Sequence, residues 1–178
     1  TLGGFTSETD ASTILDYPEY KELAAQGLHP WVGAHALRVR MAGTAVGFIT
    51  ETTDYDTSAG GTISVWFPLL VAEDVFLNDT DAVILFALES AGPVNATVVG
   101  LQRSGDDYQL FAGEAGATNT LTITRSNKKW HQIELTSVLT ATNTIDFRVD
   151  GAPVGAQIAG ANMLAVTQAS LGVISGTA

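Results

Sequence analysis

A chain of 178 residues that is 46% hydrophobic and 15% charged can bury a core of its own, which excludes a disordered chain. Its 19 acidic residues against 8 lysines and arginines give a net charge of −11, which repels phosphate backbones and excludes nucleic acid as a partner. It has no cysteine, so disulfide frameworks and thiolate chemistry are excluded, and no run reaches the ~18 apolar residues that would predict membrane insertion.

Residues 3–10 read as a short strand running into a polar loop. Residues 18–27 (PEYKELAAQG) carry the one helical pattern, with proline at the start and glycine at the end, and predict a short helix near the N-terminus. From residue 35 the period changes to two: Leu37, Val39 and Met41 share one face, Arg38 and Arg40 the other. Residues 62–67 repeat this, with Ile63, Val65 and Phe67 inward and Trp66 on the opposite face. Residues 81–88 and 96–101 are apolar on both faces, as in central strands covered on both sides or strands at a subunit contact. Cleaner alternation follows at 108–111, around Leu121 and Ile123, at 130–135 and at 144–149, where Asp150-Gly151 supplies a hairpin turn. Residues 169–174 form a final strand. Short strands divided by turn residues, with one helix, predict an all-β fold: a two-sheet antiparallel β-sandwich forming a single domain over residues 1–178.

Several segments carry a family resemblance. They are Gly4-Phe5, the strand from Gly33 through His35-Ala36-Leu37-Arg38-Val39, and Val65-Trp66-Phe67. Further on come residues 129–135 (KWHQIEL), 145–151 (IDFRVDG) and 170–176 (SLGVISG). In that order and spacing they resemble the laminin-G-like, concanavalin A-like lectin-glucanase modules found in phage structural proteins and in bacterial surface and carbohydrate-active proteins. The resemblance covers nearly the whole chain and implies a concanavalin A-like jelly roll. In that family the strand after the final Gly-Thr often carries Asp-Asp, which helps close the sandwich or hold calcium. The sequence here stops at Ala178 without it, which implies a sandwich lacking its final strand or one that takes this strand from a neighbouring chain. The fold hosts lectins, glucanases, adhesion modules and virion decorations alike, so function must be argued from the site.

Catalytic patterns are missing. Glu8-Thr9-Asp10 and the acidic residues of 51–56 do not have the Glu-x-Asp-x-x-Glu spacing that places acid and nucleophile on one cleft. No serine sits in a Gly-x-Ser-x-Gly elbow, and His29, His35 and His131 lack zinc-site spacing. The chain is therefore expected not to be an enzyme. Oxygen donors cluster at Asn78, Asp79 and Asp81 and at Asp54 and Asp56, the residue types of a calcium site, although the same residues suit turns without metal. A glycan site needs an exposed ring beside polar groups. Trp66, Trp31, Tyr55 and Tyr108 are the candidates, Trp66 first because its strand neighbours mostly occupy the other face, although a buried or half-buried ring suits each of them better. The expected role is a structural module on a virion or extracellular surface, a capsid decoration or appendage that self-associates or joins a neighbouring structural protein. The alternative is a carbohydrate-binding, lectin-like module of a secreted protein or adhesin.

Overall fold

Alternating sequences build sheets whose apolar faces must be buried against each other, and this chain solves the problem with two stacked sheets. The computed structural model describes residues 7–10, 15–18, 20–25, 37–39, 47–51, 61–71, 78–79, 81–90, 97–114, 117–124, 129–139, 144–159 and 166–176. In chain order the elements are β1 (Ser7–Asp10), β2 (Leu15–Asp16), α1 (Tyr20–Ala25), β3 (Arg38–Val39) and β4 (Gly47–Glu51). The longer strands follow: β5 (Gly61–Leu69), β6 (Ala82–Ser90), β7 (Thr97–Ser104), β8 (Asp107–Glu114), β9 (Ala117–Ile123) and β10 (His131–Leu139). The last are β11 (Thr144–Val149), β12 (Ala152–Pro153), β13 (Ile158–Ala159) and β14 (Val166–Gly176). The helix falls inside its predicted span, and the final strand is longer than its pattern suggested.

One sheet has seven strands in the order β1-β4-β14-β6-β7-β8-β9. The second runs β12-β11-β10-β5, with β13 also pairing β11, and β2 and β3 form a separate ribbon. The pairings are antiparallel. The fold is thus the all-β, two-sheet antiparallel sandwich with one short helix that the sequence predicts. Between the sheets, Val83, Leu88, Val99 and Leu110 meet Ile133, Leu135, Ile145 and Phe147 in a single core. Phe67 and Phe86 join it from opposite sheets, their rings 5.7 Å apart and tilted by 36°.

The two runs that are apolar on both faces become β6 and β7, the inner strands of the seven-stranded sheet. Val83, Phe86 and Leu88 turn to the core, and Ala87 on the opposite face is buried as well. The core thus accounts for one face of these runs, while the outward Ile84, Val98 and Phe111 stay only partly buried.

The predicted hairpin joins β11 to β12. Val149 pairs with Ala152, and the two loop residues Asp150 and Gly151 have φ of 53° and 79°, the type I′ geometry whose twist matches the strands. The Asp150 carboxylate ties this turn to β10. Oδ1 accepts from the Gln132 backbone N–H at 2.9 Å, and Oδ2 lies 3.0 Å from His131 Nδ1 and 3.4 Å from Lys129 Nζ. Partial burial pushes the Asp150 pKa up, but the Gln132 N–H, the His131 hydrogen bond and charge, and the Lys129 charge together hold it below the ordinary value. A depressed carboxylate stabilises the fold above its unfolded pKa, and that contribution is lost as pH falls through the folded pKa. Asp150→Asn tolerates positive φ but lacks the charge, so its stability should fall less steeply than the wild type's below about pH 4. Urea midpoints measured across the acid range would check this, and parallel curves would refute it.

At the other side of the sandwich, Asn119 on β9 donates from Nδ2 to the Ala156 carbonyl at 2.6 Å, linking the edge of one sheet to the loop after β12 in the other. Asn119→Ala should cost about 1 kcal/mol, the net worth of one hydrogen bond, read as a lowered urea midpoint at unchanged slope.

Candidate functional site: the outer face of the five-stranded sheet

Along β5 the side chains alternate between core and solvent. Ile63, Val65 and Phe67 pack inward, while Thr62, Ser64 and Trp66 face out. Trp66 is 63% exposed, which is unusual for a side chain this large and apolar. The other exposed large hydrophobic residue among those described is Tyr17, whose hydroxyl donates to Glu8 at 2.7 Å. Burial, that hydrogen bond and the charges of Glu8 and Asp10 push the Tyr17 pKa up to about 12. Tyr17 therefore has a structural partner for its polar end.

Strand register sets what surrounds Trp66. It pairs with Glu134 on β10, which pairs with Arg148 on β11, so ring, carboxylate and guanidinium form one row across the sheet. The adjacent row is Ser64, Thr136 and Asp146. Gln132 donates from Nε2 to Glu134 Oε1 at 2.9 Å, and the Ser64 and Thr136 hydroxyls lie 3.3 Å apart. An open groove of about 330 Å³ runs over this surface, lined by Ser64, Val65, Trp66, Gln132, Glu134 and Thr136. Its chemistry is one flat apolar platform ringed by hydroxyl, amide and carboxylate groups, an arrangement that stacks and orients a polar ligand with apolar faces.

The remaining sequence candidates fare differently. Tyr108 is a correction: it begins the inward face of β8 with Leu110 and Ala112 and is 1% exposed, so its ring offers no surface to a glycan. Trp31, Tyr55, Asp54 and Asp56 lie outside the described residues. Asn78, Asp79 and Asp81 are close together, but their oxygens serve a loop that docks on the β7–β8 turn. Asp81 Oδ2 accepts from the Asn78 backbone N–H at 3.0 Å and from its side-chain amide at 3.2 Å. Asp79 Oδ1 accepts from the Gly105 N–H at 2.7 Å and lies 3.7 Å from Arg103 Nε. A guanidinium beside the carboxylate opposes a bound cation, and no trio of acidic or histidine residues able to hold a metal gathers among the described residues. In this arrangement the three residues act as the turn residues that the sequence equally allowed. Asp79→Ala should accordingly cost about 1 kcal/mol of stability, read as a lowered urea midpoint, whether or not calcium is present, whereas a loss seen only with calcium would show that the loop holds the ion.

Gln132, Glu134, Thr136 and Arg148 were not singled out from the sequence. Alternation placed them on the polar faces of β10 and β11, but only the pairing of β10 with β5 brings them beside Trp66.

No protein-family model and no curated protein sequence matches the chain. Among solved structures it is similar to a carbohydrate esterase of the Shiga toxin-encoding bacteriophage phi24B, with 14% identity over 95% of this chain and 82% of that one, at a TM-score of 0.59. It is similar to an endo-β-1,4-glucuronan lyase of the fungus Trichoderma reesei, with 12% identity over 97% of this chain and 80% of that one, also at 0.59. It also resembles botulinum neurotoxin type C, a toxin whose uptake into cells depends on two ganglioside molecules, with 9% identity and a TM-score of 0.58. That match covers 97% of this chain and 39% of the toxin chain. At these identities the likeness is one of fold, and the chain is a jelly-roll-like β-sandwich.

Proposed function

We propose that this chain is a non-catalytic carbohydrate-binding module carried on a virion or extracellular surface, and that it lays a sugar ring against Trp66. The observation that carries the reading is Trp66 itself, a 63% exposed indole in register with Glu134 and flanked by Ser64, Thr136 and Gln132. A single exposed ring needs no ligand by itself. An indole set in register with a carboxylate, and beside an amide and two hydroxyls, has the make-up of a sugar-stacking platform. The resemblance to concanavalin A-like and laminin-G-like modules supports the reading, as do the phage esterase, the glucuronan lyase and the ganglioside-dependent toxin among the fold neighbours. A purely structural role, a capsid decoration held by self-association or by a neighbouring structural protein, drew its main sequence argument from strands apolar on both faces. The core accounts for one face of β6 and β7, and the sugar reading is preferred because Trp66 and its polar row are the more specific feature.

The test is affinity electrophoresis of the intact chain through gels containing a panel of polysaccharides, with a reducing-end assay on the same mixtures. Retardation without release of reducing ends is expected. Unretarded migration through every gel, together with co-sedimentation with particles, would favour the structural role, and release of reducing ends would make the chain an enzyme.

A further inference from the structure

We infer that the Trp66 face selects an uncharged glycan and turns away sugars bearing carboxylate, sialate or sulfate groups. This rests on the proposed sugar-binding reading of the face and adds the class of ligand. The first argument is charge. Two carboxylates, Glu134 and Asp146, stand on the outer face against one guanidinium, Arg148, and the whole chain carries a net charge of −11. Arg148 stands in register with Glu134 and offsets part of its charge while its Nη1 donates to the Gly151 carbonyl at 3.4 Å, which leaves the two carboxylates in net excess on this face. Among the described residues, three cations elsewhere are paired with carboxylates: Arg38 with Asp16, Arg103 with Asp79 and Lys129 with Asp150. An acidic sugar stacked on Trp66 would bring its anion next to Glu134, whose like charge repels it.

The second argument is hydrogen-bond supply. A sugar without ionised groups presents hydroxyl donors in adjacent pairs, and an ionised carboxylate accepts two such donors at once. Glu134 accepts the Gln132 amide on Oε1, which holds the carboxylate in place, and its remaining lone pairs can accept a hydroxyl. Asp146, Ser64 and Thr136 add further acceptors in the neighbouring row. Replacing a hydroxymethyl group by a uronate removes a donor and adds a like charge, and both changes act against binding. The platform also has room for more than one ring. From β5 to β11 is two strand spacings, about 10 Å, so an oligosaccharide lying across the strands can stack one ring on Trp66 and place the next over Glu134 and Asp146.

The experiment compares neutral β-glucan, mannan and galactan with the same three polymers oxidised at the primary alcohol to uronates, by affinity electrophoresis of the full chain at low and high salt. At least one neutral polymer should retard the chain, its oxidised form should bind at least about tenfold more weakly, and salt should narrow the gap. The double variant Glu134→Gln, Asp146→Asn, which keeps side-chain size, should close the gap further. An oxidised polymer bound as tightly as its parent, or more tightly, overturns the inference while leaving Trp66 as a sugar platform. If no polymer of either kind binds, or if Trp66→Ala binds as well as the wild type, the underlying reading falls and this one with it.

Discussion

Trp66→Ala is expected to weaken glycan binding about thirtyfold and to leave the fold intact. Covering one face of an indole removes on the order of 80 Å² of apolar surface from water, and at about 25 cal/mol per Å² that amounts to about 2 kcal/mol, or a factor of about thirty in Kd. The fold should tolerate the change because the side chain is 63% exposed, on the solvent side of β5. Lost strand propensity should cost no more than about 1 kcal/mol. Titration calorimetry against the best-binding polymer's oligosaccharides gives the first number and a thermal melt the second. Trp66→Phe should recover part of the affinity, since a smaller ring still stacks. A variant that binds normally would mean the ligand, if any, sits elsewhere.

Gly172→Ala should destabilise the sandwich by about 3 kcal/mol. Gly172 has a φ of 135°, which side chains on L-residues rarely adopt, and a Cβ there would lie 2.4 Å from the Gly47 carbonyl oxygen and 2.7 Å from Phe48 Cα. Both contacts are backbone, so no rotamer change relieves them, and β14 would have to pull away from β4 where Gly172 pairs with Phe48. The local bulge, where β14 shifts register against β6 between Leu171 and Ser175, depends on the same conformation. Strained backbone of about 1 kcal/mol plus overpacking of about 2 gives the total. For a domain of this length that corresponds to a melting temperature lower by about 10 °C. An unchanged melting curve would show that β4 and β14 can separate here at no cost.

Much of this architecture was legible because it is written locally. Period-two runs marked β5, β8, β10 and β11, apolar runs marked β6 and β7, proline and glycine bracketed α1, and Asp150-Gly151 announced its turn. In contrast, β4 carried no readable pattern, and Ser7–Asp10, whose polar residues suggested a loop, forms β1. Trp66 could be ranked first among the rings because Ile63, Val65 and Phe67 claim the other face of its strand, but its exposure, against the half-buried ring the sequence favoured, came from the structure. Tyr108 could not be placed the same way. Its strand carries apolar residues in both phases, Leu110 and Ala112 on one and Phe111 on the other, so alternation alone does not say which side is the core. The acidic loop was ambiguous for a different reason. Aspartates that close a turn and aspartates that hold calcium look alike in sequence, and the deciding partners, Arg103 and Gly105, lie more than twenty positions away. The polar neighbours of Trp66 are equally non-local, since β5 and β10 meet across some seventy residues of chain and their register cannot be counted from either strand alone.

The place of β14 also bears on how the protein is made. This strand comes last in the chain among those described, yet it lies inside the seven-stranded sheet, between β4 and β6. Until Val166–Gly176 leaves the ribosome, β4 and β6 have no common neighbour, and the buried Val166 and Val173 are missing from the core. Closure must therefore wait for contacts between residues more than a hundred positions apart, which makes folding late and slow. A nascent or truncated chain lacking this strand would expose two open sheet edges at once, the condition under which β-rich chains aggregate.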